Sequence, residues 1–147
     1  MLALTKKTGY GLIAMSHLAS LDREELSSAR EIAEQSNTPT SLVMNVLKKL
    51  AAAGYVESVR GAHGGYRLAR RPEDICLEEI VTALEGPIRL AECVSGETSD
   101  DTECECALMA RCPITDPVHR IQRRLSDFLK TVTLAEIVEP AVTQAGK

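Results

Sequence analysis

The order in which apolar spacing changes along the chain restricts its fold more than any other feature. Helical spacing comes first. Residues from about Thr5 to Ser20 place Leu12, Met15, Leu18 and Ala19 near one face, with Gly9 and Gly11 expected to weaken the start. Ser28-Ala29-Arg30-Glu31 matches the capping box S-x-x-E and predicts a second, short helix to about Gln35, with Ala29, Ile32 and Ala33 inward. Asn37-Thr38-Pro39 reads as a turn. A third helix is expected from Thr40 or Ser41, with Val43, Val46, Leu47 and Leu50 on its apolar face and Gly54 as its stop. The spacing then changes. Val56 to Val59 and Tyr66-Arg67-Leu68 read as two strands joined by Arg60-Gly61-Ala62-His63-Gly64-Gly65. A fourth helix, with Leu77, Ile80, Val81 and Leu84 on one stripe, ends at Gly86-Pro87.

Helix, helix, turn, helix and hairpin, in that order, form the winged-helix pattern, in which the third helix is the candidate reader of the major groove. The fold expected is mainly α with a small β-hairpin: a winged helix-turn-helix over residues 1–72, a linking helix over 73–91, and a long C-terminal helix. Aromatic residues are only 3% of the 147, so the core must be aliphatic, which suits packed helices. Net charge is −4, but it is unevenly spread. Residues 1–72 hold ten Lys/Arg and six Asp/Glu, whereas residues 73–147 hold seven and fifteen. A basic first half and an acidic second half fit one surface facing phosphates and one facing away. The DNA contacts expected are Lys6, Tyr10, Ser28, Thr40, Ser41, Asn45, Lys48, Lys49, Arg60, His63, Gly64, Gly65 and Arg67. Gly61, Gly64 and Gly65 are read as allowing positive φ and close backbone approach in the wing. The competing reading is a winged helix that serves only as a protein-interaction module.

Periodicity breaks over residues 92–115, where Ser95 to Thr102 is polar and four of the five cysteines gather. Helical order is expected to return at Asp116-Pro117, as N-cap and first helical residue, in a unit spanning 116–140 with a tail over 141–147. Val118, Ile121, Leu125, Phe128 and Val132 repeat at intervals of three and four, which is an a/d seam. Arg120, Arg123 and Arg124 leave that seam narrow, so it reads as a dimerisation helix, with packing inside one chain as the alternative. Leu134, Ile137 and Val138 predict a short final helix. Neither a signal peptide nor a membrane span is visible, so a cytoplasmic protein with no membrane partner is expected. Structural disulfides are rare there, so Cys76, Cys93, Cys104, Cys106 and Cys112 point to metal ligation or redox chemistry. Thiolates suit zinc or iron–sulfur clusters, and spacing alone leaves the two even. No C-x-x-C opens a helix, no Gly-rich phosphate loop is present, and no Cys/His pair suits a nucleophile, so neither an enzyme nor a small-molecule substrate is expected.

The stretch Val59-Arg60-Gly61-Ala62-His63-Gly64-Gly65-Tyr66-Arg67-Leu68 resembles the wing signature of the IscR and NsrR family of bacterial regulators. The opening Leu4-Thr5 through Tyr10-Gly11 and Ala14-Met15, the cysteine segment and the Pro-started helix extend the likeness over nearly the whole chain. Within that family the chain looks most similar to regulators of SUF-type iron–sulfur assembly. The resemblance implies a homodimeric repressor that binds near-palindromic, double-stranded operator DNA under control of an iron–sulfur cluster. It implies Cys93, Cys106 and Cys112 as ligands, with a 2Fe–2S cluster ahead of a 4Fe–4S one and zinc as the alternative. Family members draw a fourth ligand from positions that here hold Thr115 or Gly9, so Cys104 is the substitute expected, with Asp116, His119 and Glu105 behind it. His119 reads otherwise as a solvated surface residue, and Cys76 as a small half-buried one. Cluster gain or loss, in response to iron supply, oxidants or nitric oxide, would bias the spacing of two recognition helices, which must match roughly 34–36 Å. A metal-free regulator that pairs Cys104 with Cys106, or Cys106 with Cys112, is the competing switch.

Overall fold

The structure is a computed structural model and describes residues 5–91, 94 and 111–139. The first helix, α1 (Lys6–Ser20), is capped by the Thr5 hydroxyl, which accepts from the Thr8 N–H at 3.4 Å. It buries Thr8, Gly11, Ala14, Met15 and Leu18, while Leu12 and Ala19 pack at the margin of the core. The two glycines do not delay its start. Gly11 is buried against Leu84, and any Cβ there would run into that leucine, so this glycine is a packing requirement between helices.

The second helix, α2 (Ala29–Ser36), has the expected capping box: the Ser28 hydroxyl accepts from Glu31 N–H at 3.2 Å, and the Glu31 carboxylate accepts from Ser28 N–H at 2.7 Å. Asn37, at φ 50°, closes it in the left-handed region. The next helix, α3 (Thr40–Ala52), buries Val43, Val46, Leu47 and Leu50, and Gly54 follows at φ 84°. The hairpin joins β1 (Val56–Val59) to β2 (Gly65–Leu68) antiparallel, with Glu57 opposite Arg67 and Val59 opposite Gly65. Ser27 extends the hairpin. It donates to Tyr66 O at 3.0 Å and accepts from Tyr66 N–H at 2.8 Å, which fastens the wing to the chain just before α2.

A single 3-10 turn (Pro72–Asp74) leads to α4 (Leu77–Glu85), which ends at Gly86 with φ 91°. The long helix α5 (Thr115–Thr131) starts one residue before the expected cap. Ile114 takes the cap position without a side-chain bond, so Asp116 and Pro117 lie in the first turn, where an acidic side chain complements the helix dipole and a missing N–H costs nothing. A short α6 (Leu134–Val138) follows, capped by Thr133.

Fully buried Ile75, Ile80, Leu84 and Leu134 share one core with Met15, Ile32, Leu47 and Leu50. Helix α6 packs on α1, and its Leu134 N–H donates to Ile75 O at 2.8 Å, while Leu77 N–H donates to Val132 O at 2.8 Å. The chain therefore leaves the winged unit through α4 and returns to it at α6. Among the described residues no helix is long and apolar enough to cross a membrane.

Candidate functional site

The buried residues of α3 recur at three- and four-residue spacing, so its opposite face must be exposed. Thr40, Ser41, Met44, Asn45 and Lys48 form that face. Met44 and the more lateral Leu42 are exposed apolar residues that the sequence reading left unassigned, because it took only polar residues as candidates for the exposed face. Lys49 lies at the edge of the face, and its ammonium donates to Leu84 O at 3.4 Å. Arg60 and His63 are exposed in the hairpin turn, and Lys6 is exposed at the start of α1.

Several expected contacts have local duties. Arg67 bonds Glu57 across the hairpin at 2.8 Å and Glu24 at 3.1 Å, and the Glu57 carboxylate raises the guanidinium's affinity for its proton. Ser28 caps α2, and Tyr10 packs half-buried against the core. Only Gly61 of the three wing glycines has positive φ, at 126°. Gly64 and Gly65 serve close approach within the chain instead: a Cβ on Gly64 would meet Val59 O, and one on Gly65 would meet Ser27 backbone atoms at 2.9 Å.

The C-terminal half flanks the cysteine segment from both sides. Gln122 of α5 accepts from Leu90 N–H at 2.8 Å and donates to Ile88 O at 2.5 Å, fixing the chain just as it enters that segment. The Ser126 hydroxyl donates to Glu78, joining α5 to α4. Where the segment ends, Cys112 is half-buried just before α5. The Ile114 N–H, then the Thr115 hydroxyl and N–H, hold its thiol below the ordinary range. These donors favour the thiolate, the form that ligates metal or attacks a disulfide. This donor chemistry fits a thiolate-held metal centre. Cys93, Cys104, Cys106 and Glu105 lie outside the described residues. Cys76 behaves differently. It is the N-cap residue of α4, its N–H donates to Glu79 at 2.9 Å, and burial pushes its thiol up. Asp116 is exposed and His119 half-buried on α5.

Residues Ile114, Ile121 and Phe128 of the C-terminal half are 59%, 55% and 60% exposed and stand seven residues apart. Val118, Leu125 and Val132 are half-buried. Of the five expected seam residues, three are thus half-buried and two, Ile121 and Phe128, stand with Ile114 in an exposed apolar stripe.

Residues 4–140 match a family described as Rrf2, iron-dependent transcriptional regulator. The chain is 31% identical over 135 residues to the HTH-type transcriptional regulator NsrR of Bacillus licheniformis, covering 92% of this chain and 91% of that one. Among solved structures it is similar to CymR, the global cysteine regulator of B. subtilis, with a TM-score of 0.70, 31% identity, and coverage of 94% and 97%. IscR of T. potens is similar at a TM-score of 0.66 and 30% identity, covering 93% of this chain and 86% of that one. A winged unit joined through a cysteine segment to a long helix, matched over nearly its whole length, makes this chain a member of the Rrf2 family of transcriptional regulators rather than an enzyme.

Proposed function

We propose that this regulator binds double-stranded operator DNA as a homodimer through α3 and the wing, and that a cysteine-held iron–sulfur cluster controls that binding. Ser41, Asn45 and Lys48, exposed along α3, are the contacts to base edges and phosphates, with Arg60 and His63 reaching the backbone or minor groove from the wing. Cys93, Cys106 and Cys112 would hold the cluster, with Cys104 as the candidate fourth ligand. When bound, it would supply a redox-active bridge of soft ligand bonds across the segment. The observation that carries this reading is the placement of Cys112 at the head of α5, with a thiolate-favouring setting in support. Through Gln122, α5 also holds Ile88 and Leu90, so both ends of the cysteine segment meet one helix.

Anaerobic purification tests the metal centre. A brown protein with about one cluster of iron and sulfide per subunit, lost in Cys112→Ala, is the expected result. A colourless protein with stoichiometric zinc overturns the cluster and leaves DNA binding standing. The same Cys112 setting also favours a second reading, attack of this thiolate on a disulfide in a metal-free switch. A peroxide-dependent change in DNA affinity of metal-free protein would establish it.

A further inference from the structure

Two lysines from different helices converge on the C-terminal end of α4. Lys7 of α1 lies 3.2 Å from Glu85 Oε2, and Lys49 of α3 donates to the neighbouring Leu84 O at 3.4 Å. Their ammonium groups are close enough that Lys7 pushes the proton affinity of Lys49 down. Two cations thus share one carboxylate and one neutral carbonyl, which leaves a surplus positive charge and ammonium N–H donors beyond those two contacts. The two oxygens of Glu85 have different roles. Oε1 accepts from the Thr5 hydroxyl and, at 3.0 Å, from the Thr8 hydroxyl, whose residue is wholly buried. Oε2 meets only Lys7 among these partners. The carboxylate is therefore anchored on one side and exchangeable on the other.

We propose that Lys7 and Lys49 form a phosphate site for the DNA backbone, and that Glu85 Oε2 is its resident counter-anion in the free protein. The inference rests on the DNA-binding reading above. A backbone phosphate offers acceptors to both ammonium groups at once, as a single carboxylate oxygen does not. The site lies beside the exposed face of α3, since Lys49 is itself exposed at the edge of that face. It acts on the sequence-independent part of binding. Glu85 competes with the phosphate for Lys7 and so weakens non-specific attachment, while Oε1 keeps α4 fastened to α1 during the exchange.

The test measures binding of the full-length protein to a random-sequence duplex over a potassium chloride series. Glu85→Gln keeps an acceptor for the two threonines and removes the competing charge. It is expected to bind several-fold more tightly, with a salt slope steeper by about one. The double variant Lys7→Ala/Lys49→Ala is expected to bind more weakly, with a slope shallower by about two. Adding Glu85→Gln to that double variant should give no further gain. Equal or weaker binding by a Glu85→Gln protein with unchanged thermal melting overturns the proposal. So does a gain that survives in the double variant, because it would be a general charge effect. If Glu85→Gln melts early, the double variant decides alone, and an unchanged slope refutes the site. Failure of the parent protein to bind any duplex would remove the DNA-binding reading itself, and this site with it.

Discussion

At the scale of single residues, the wing is held by contacts that leave no slack. Gly65 lies against the Ser27 backbone, where an added Cβ would meet the carbonyl carbon and oxygen at 2.9 Å. Backbone atoms cannot rotate aside as a side chain can. Gly65→Ala is therefore expected to destabilise by about 1–3 kcal/mol. It should also speed hydrogen exchange at the Ser27 and Tyr66 amides, each of which donates to the other residue's carbonyl. Unchanged exchange at those amides would show that the wing is not fastened at this point. Glu31 gives a pH prediction. The Ser28 N–H and hydroxyl, then the Ser27 hydroxyl, hold its carboxyl below the ordinary range. A depressed folded-state pKa contributes stability that is present above the unfolded value and lost as pH falls through the folded one. Melting temperature should thus fall as the solution is acidified below the usual carboxylate range, and less steeply in Glu31→Gln. These two sites also differ in how legible they were. The capping box is written in four consecutive residues, Ser28 to Glu31. The constraint on Gly65 comes from a distant segment, so its sequence suggests only flexibility, and Arg67 likewise gives no sign of its partners Glu57 and Glu24.

At the scale of elements, α5 shows where pattern and packing part company. Its three- and four-residue spacing correctly marks an apolar stripe but cannot say what covers it. In the fold, Gln122 and Ser126 turn one side of α5 toward α4 and the chain after it, and Ile114, Ile121 and Phe128 remain uncovered. A helix end is also set by backbone geometry as much as by cap residues, which is why α5 begins ahead of Asp116. If the uncovered stripe is the dimer seam, Ile121→Glu and Phe128→Glu should convert the protein to monomers in analytical ultracentrifugation. Neither side chain belongs to the core of its own subunit, so each subunit should stay folded by far-ultraviolet circular dichroism. Retention of the dimer in both variants would place the interface elsewhere. On α3 the same limit applies: the exposure of Met44 is not marked by its residue type, while Ser41, Asn45 and Lys48 are evident from position and polarity.

At the scale of the whole molecule, the winged unit and the C-terminal half are not separable in stability. The sequence suggests a DNA-binding unit that ends near Pro72, yet the core includes Ile75, Ile80 and Leu84 from α4 and Leu134 from α6. Leu134 is fully buried, and its N–H joins the strand-like segment at Ile75. A short five-residue helix would be marginal alone, so α6 exists because that burial holds it. The chain from α5 is therefore joined to α1 at two places, through α4 and through α6. Leu134→Ala leaves a cavity in this shared core and is expected to cost about 2–5 kcal/mol. For a chain of this size that corresponds to a fall in melting temperature on the order of 10 °C. The loss should appear as one cooperative transition moved to lower temperature, with amides of α1 and α4 losing protection together. An early, separate transition confined to α5 and α6, with α1 unaffected, would show instead that the two halves fold as independent units and that their coupling must run through the cysteine segment alone.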